Sequence, residues 1–370
     1  MNQIAQTSIQ VAELANGQAL SIPVFTVGDR NKGPKVYIQA NMHGAEVQGN
    51  AVIYALLEKL KTVQLNGSIT LVPYANPIGC NQKSGEFTLG RFDPITGENW
   101  NRLYHDHTHL VADFAAKYVD ASEQVIRSEF KQLLISKTDE ILAQPLHQLK
   151  TGKRIAVNLQ RLAHEADLVL DLHTGPISSK HLYCPEYAQA SAKYFDIPHT
   201  LLIPNEFDGA MDEACFCPWW QLSEAFSALG REITTTNEAF TVELGSQEHI
   251  DLSEAQQDAD SLLSYLTHKE VILDSTYQPK PIQRYACYLQ DYVAFYAPIG
   301  GMVEYQAALG AHIKAGETLV NILRMDKYAQ GEALNPITFD HDAIAILHFA
   351  SASVNQGTEL YKLFTNYFEL

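Results

Sequence analysis

Basic residues are scarce in this chain: 26 lysines and arginines stand against 43 aspartates and glutamates, a formal net charge of −17. Nonspecific nucleic-acid binding relies on basic patches that neutralise phosphates, so no nucleic-acid partner is expected. The acidic balance does not define the ligand, because a local site can be positive inside an acidic protein. Long apolar runs are also missing, and none could span a bilayer. Met1 to Thr7 lack a basic segment followed by an apolar one, so no signal peptide and no membrane partner are expected. Cysteine is sparse and odd in number, five in 370 residues, which does not suit a secreted disulfide framework and points to a reducing cytoplasm. Cys215 and Cys217 have no second pair nearby, so packing beside Trp219 and Trp220 is expected rather than metal binding. Tandem repeats and low-complexity segments are absent.

What remains is an ordinary globular composition, 46% hydrophobic, in a chain long enough for two domains. Residues 7–30 alternate in part and read as an opening hairpin or meander. Residues 35–41 form a core strand, Glu46 to about Lys61 a helix, and Ser68–Tyr74 another strand closed by Asn76-Pro77. The stretch 77–104 is rich in Gly, Asn and Pro and reads as a long, functional loop. One or two helices are expected over 110–150 and another over Ile155–Ala166. Strand–helix alternation then continues to residue 268. That pattern predicts an α/β fold with a largely parallel sheet flanked by helices over residues 1–276. After a proline-bearing linker, short apolar runs punctuated by glycine predict a small all-β domain over 277–370.

The chemistry-bearing residues cluster at predicted strand ends. His43-Gly44-Ala45-Glu46 follows the first core strand, and Gly44 is expected to let the backbone turn through a positive φ. A neutral imidazole and a carboxylate are both Zn²⁺ ligands, and a catalytic zinc takes three protein ligands with one open position. Asp167–Gly175 reads as a buried strand carrying His173, and Phe240–Gly245 as a similar strand carrying Glu243. Ligand crevices of open α/β sheets lie outside the carboxyl ends of the strands, where these four residues would meet. Taken singly each has a plainer reading: Glu46 as a helix-start acid, His173 as a strand-end histidine, Glu243 as an ion-pair partner. His105, His107 and His109 are expected on an exposed loop or helix start rather than on a second metal.

Asn41-Met42-His43-Gly44-Ala45-Glu46, Asn76-Pro77, Arg91, Asn101-Arg102, Asp171-Leu172-His173 and Thr241-Val242-Glu243-Leu244-Gly245 occur in this order. With this order and spacing the chain resembles the succinylglutamate desuccinylase/aspartoacylase family, a branch of the zinc carboxypeptidase-like metallohydrolases. The resemblance covers most of the chain, including the C-terminal β region, which looks like the barrel-like domain of many members. It implies one zinc ion held by His43, Glu46 and His173, with Glu243 as general base and proton shuttle. It further implies that Arg91 polarises the scissile carbonyl, and that Asn101 and Arg102 grip a substrate carboxylate. The sequence departs from the family in having Asn99-Trp100 before the Asn-Arg pair, and Trp100 is expected to reshape the pocket.

The expected activity is hydrolysis of an amide bond in a small carboxylate-bearing substrate, an N-acyl amino acid. A metallocarboxypeptidase acting on short peptides is the close alternative. Asp171 is a candidate partner for a ligand histidine. A carrier role with a modified Lys327, and a metal-free binding protein, are alternatives of another class. The oligomeric state stays open, with a homo-oligomer among the options.

Overall fold

A computed structural model describes residues 1–370. Its centre is a ten-stranded mixed sheet. In spatial order the strands are Ile4–Glu13, Ala19–Gly28, Ser68–Val72, Lys35–Ala40, Leu168–Gly175, Glu238–Ser246, His181–Pro185, His199–Ile203, Tyr285–Tyr288 and Phe368–Glu369. The four strands from Ser68–Val72 to Glu238–Ser246 are mutually parallel. They are short and almost wholly buried, as strands covered on both faces should be.

Alternation along these strands divides the interior. Ile38, Ala40, Leu168, Leu170 and Leu172 face one layer, where the helices Gln48–Leu60 and Leu252–His268 pack together. Tyr37 and Val169 face the other, covered by the helices Thr151–Ala163 and Met211–Ala228. Gln39 and Asp171 lie on this second face, fully buried and polar. The region 110–150, expected to hold one helix or two, holds the α-helices Val111–Lys117 and Glu123–Leu142, and the helix expected over Ile155–Ala166 runs Thr151–Ala163. Ser122 starts the longest of them by accepting a hydrogen bond from the Val125 N–H.

The C-terminal region adds two small antiparallel sheets around Val303, Leu319, Ile322, Leu360 and Leu363. It is not strung on a free linker. Tyr285–Tyr288 and Phe368–Glu369 extend the main sheet, and Ile177–Ser178 pairs with Ala343–His348. Lys327 sits in a short 3₁₀ helix, Met325–Gln330, that connects the paired strands Thr318–Leu323 and Leu334–Thr338.

Of the three-histidine run, His109 is exposed at a helix start as expected and His105 is half-buried, but His107 differs. His107 is buried, with Nε2 3.1 Å from the Thr138 hydroxyl, and its ring packs near His164. Burial pushes His107 down to about 3 and His181 and His199 to about 4, and His164 well below its ordinary value. Between about pH 6.5 and 4 the unfolded chain therefore binds more protons than the native one at these sites, so stability falls as pH drops. Each such histidine contributes up to about 1.4 kcal/mol per pH unit. Urea titrations at pH 7, 6 and 5 should show this decline, and His107→Gln should make it shallower; an unchanged slope would remove His107 from the account.

Candidate active site

His43, Glu46, His173 and Glu243 meet at the carboxyl ends of the central parallel strands. His43 and Glu46 follow Lys35–Ala40, and His173 lies near the end of the adjacent Leu168–Gly175 strand. Glu243 is the direct cross-strand partner of His173. All seven residues expected at the site line one cleft of ≈ 660 Å³: these four together with Arg91, Asn101 and Arg102.

The turn that presents His43 and Glu46 works differently from expectation. Gly44 does not adopt a positive φ; Asn41 does, at 63°. Asparagine tolerates that region because its side chain can bond locally. Here the Asn41 amide donates to the carbonyls of His43 at 2.9 Å and Gly44 at 3.2 Å. Gly44 is required for space. A Cβ there would lie 2.0 Å from the Gly79 carbonyl oxygen. The helix also begins at Gln48, leaving Glu46 in the preceding loop.

Glu46 lies between two imidazoles. Its Oε1 is 2.8 Å from His43 Nδ1 and its Oε2 is 2.7 Å from His173 Nδ1. Both rings are oriented from behind. His43 Nε2 is 2.8 Å from Asn99 Oδ1, which also accepts the Asn101 backbone N–H at 2.9 Å, so the amide orientation of Asn99 is set. His173 Nε2 is 2.9 Å from Asp171 Oδ2. Asp171 Oδ1 accepts from Gln39 at 2.9 Å; Gln39 also donates to the Tyr104 hydroxyl and accepts from Tyr37. With a cation between them, the acceptors behind each ring would hold the proton on Nε2 and leave the Nδ1 lone pair free for the ion.

The inward-facing atoms of His43, Glu46 and His173 lie within 4.8 Å of one another, all buried. Two imidazole nitrogens and one carboxylate oxygen form a donor set that could hold a metal ion. The electrostatics agree. Burial acts to raise Glu46, but the two imidazoles outweigh it and leave its carboxyl below the usual carboxylate range. Around His173 burial favours the neutral ring, and Asp171 and Glu46 outweigh that too, so the pocket favours positive charge. Glu243 responds oppositely: burial, reinforced by Glu46, pushes its carboxyl up to about 7, and its buried Oε2 has no hydrogen-bond partner.

The remaining residues are more open. Arg91, half exposed, brings Nη1 to 3.7 Å from Glu46 Oε1. Arg102 lies 3.7 Å from Asp208 through Nε and donates to the Asn101 carbonyl. Asn101 is buried, its Nδ2 3.4 Å from His173 Nε2. Trp100 does not line the cleft. It is buried against Gly152, and Asn99 is the one that reaches the histidine. The sequence reading missed Asn99, Tyr183, Tyr292 and Asp212, all of which line the cleft. Only Asn99, as half of a departure from the family pattern, gave a signal.

A model of the succinylglutamate desuccinylase/aspartoacylase catalytic domain matches residues 32–142 and 142–269. The chain belongs to this family. Its members are hydrolases that remove acyl groups from N-acyl amino acids. A family protein from Shewanella amazonensis SB2B is 54% identical in sequence; its structure covers 99% of this chain and 100% of its own, with a TM-score of 0.96. One from Shewanella frigidimarina NCIMB 400 is 53% identical, with coverage of 100% and 99% and the same TM-score. Among curated proteins, an N-alpha-acetyl-L-2,4-diaminobutyric acid deacetylase of Halomonas elongata is 23% identical over 92% of this chain and 84% of its own length.

Two outcomes follow from the geometry. Asn99→Ala should weaken divalent-metal affinity by about 10–100-fold, because the His43 ring loses the acceptor that orients it. Competition against a chromophoric chelator measures this, and wild-type affinity would mean that Asn99 does not hold the ring. Gly44→Ala should lower stability by roughly 1–3 kcal/mol through overpacking against Gly79. Chemical denaturation tests that value.

Proposed function

We propose that this protein is a zinc-dependent amidohydrolase that deacylates an N-acyl amino acid, with one Zn²⁺ per chain held by His43, Glu46 and His173. The observation that carries this reading is the convergence of two imidazoles and a carboxylate, backed by Asn99 and Asp171, beside an unpartnered glutamate in one cleft. An N,N,O donor set with a fourth position open to the cleft suits catalytic zinc. When bound, the ion supplies a Lewis acid that makes water an effective nucleophile near neutral pH.

The chain's own residues do the rest. Glu243 accepts a proton from the attacking water and delivers it to the departing amine nitrogen. A carboxyl pushed up to about 7 suits both steps, since it can hold and release a proton near neutrality. Arg91 opens onto the cleft beside Glu46, where its guanidinium offsets negative charge developing on the carbonyl oxygen. Arg102 presents a planar fork to the substrate carboxylate, assisted by Asn101. The five cysteines are all unpaired, which supports a cytoplasmic location.

Glu243→Gln should keep stoichiometric zinc and lose about 10²–10⁴ in turnover. The test is metal analysis of the purified variant together with a panel of N-acyl amino acids and dipeptides. Near-normal turnover removes Glu243 from the base role. A clear preference for dipeptides replaces deacylation with carboxypeptidase activity.

A further inference from the structure

The Arg91 guanidinium stands 3.7 Å from Glu46 Oε1, outside hydrogen-bonding range, and is half exposed. Its place beside the site is therefore set by the backbone that carries it. At Gly90 and Arg91 that backbone is fastened. The Gly90 carbonyl accepts the Gly44 N–H at 2.7 Å, and the Arg91 carbonyl accepts the Trp100 N–H at 3.2 Å. Upstream it is a hairpin of two short strands, Lys83–Ser84 and Phe87–Thr88. A ribbon that short does not hold its own shape in water. Apolar burial does not secure it either, because Phe87 and Leu89 are both exposed.

Glu248 supplies the anchor, from just beyond the strand Glu238–Ser246 that carries Glu243. Its Oε1 accepts the Thr88 backbone N–H, and its Oε2 lies 3.4 Å from the Thr88 hydroxyl. Both carboxylate oxygens thus face one residue of the hairpin. The Glu248 backbone N–H donates to the Ala45 carbonyl at 2.8 Å, between the ligand candidates His43 and Glu46. One residue therefore ties the Arg91 hairpin to the turn bearing two ligand candidates and to the end of the strand bearing the base. It does so with φ at 57°, in the left-handed region. Glycine and asparagine adopt that region readily, but a glutamate there is uncommon and strained. Such strain persists only where surrounding contacts fix it, and it concentrates at functional sites.

We propose that Glu248 is a positioning residue for the reaction: by clamping Thr88 it holds the Arg91 guanidinium at the height of the Glu46 carboxylate. This rests on the deacylase reading above, in which Arg91 offsets charge on the carbonyl oxygen. Glu248 touches neither the substrate nor the ligand side chains and acts through the hairpin backbone.

The test measures kcat, KM and zinc content of the zinc-loaded enzyme on a panel of N-acetyl amino acids with acidic, neutral and basic side chains. Glu248→Gly suits it, because glycine accepts the left-handed backbone and keeps the N–H to Ala45 while losing the carboxylate. This variant should keep stoichiometric zinc and a KM within about threefold of wild type but lose about 10–100-fold in kcat, the scale of a small misplacement at the reacting centre. Glu248→Gln keeps an acceptor for the Thr88 N–H and should recover most of that loss. In an Arg91→Ala background Glu248→Gly should lower turnover no further, since both act through one guanidinium. Hydrogen exchange at the Thr88 amide, faster in Glu248→Gly than in wild type, reads the clamp without turnover. Unchanged kcat in Glu248→Gly, a loss that adds to that of Arg91→Ala, loss of zinc, or unchanged exchange at Thr88 overturns the proposal and leaves the deacylase intact. A wild type that hydrolyses none of the panel overturns the deacylase, and the role of the clamp with it.

Discussion

The structure turns on one carboxylate held between two imidazoles. Glu46 faces His43 and His173 at hydrogen-bonding distance, and each ring has its far nitrogen occupied by an acceptor. Three electron pairs then point at a common centre, an arrangement that repels itself unless positive charge sits there, as extra protons on the rings or as a metal ion. Much of the surrounding fold keeps this centre in register. The parallel strands bring Ala40 beside Leu172 and His173 beside Glu243. The left-handed Asn41 turn then carries His43 and Glu46 across the sheet end. Slipping any of these strands by one residue would turn its ligand to the opposite face.

Behind the histidine lies a buried polar chain that an apolar core would not need. Tyr37, Gln39, Tyr104 and Asp171 are linked by hydrogen bonds in the layer beneath the site. Gln39 uses both amide protons, and Asp171 places one oxygen against Gln39 and the other against His173. Such a network is favourable only when its members are satisfied. The 2.9 Å approach of Asp171 Oδ2 to Nε2 gives the His173 ring an electrostatic partner in addition to its packing.

Much of this was legible in the sequence because strands buried on both faces leave a simple pattern. The runs ending at Ala40, Gly175 and Gly245 bracket short apolar segments, and chemistry-bearing residues at their carboxyl ends have few plain explanations once they occur together. What stayed hidden depends on contacts between distant segments. Gly44 reads as a turn glycine, but its constraint comes from Gly79, 35 positions further along the chain. His107 sits in a polar-looking run, and only packing on Thr138 and His164 makes it an interior group. Local pattern reports which face of an element is buried, but not what that face meets.

The C-terminal sheets complete the site in a way that composition could not suggest. Tyr292, Leu347, Glu359 and Lys362 all come from this region and line the cleft. Their position is held at three places: the Tyr285–Tyr288 edge strand, the returning Phe368–Glu369 strand, and the pairing of Ile177–Ser178 with Ala343–His348. The last begins two residues after Gly175, where the strand bearing His173 ends. A wall tied by backbone hydrogen bonds to the strand that carries a metal-ligand candidate cannot swing away without breaking that pairing. The cleft is therefore shaped by the sheet itself rather than by a hinge. Fixed groups are what such a rigid cleft offers a ligand, because none has to be repositioned when the ligand enters.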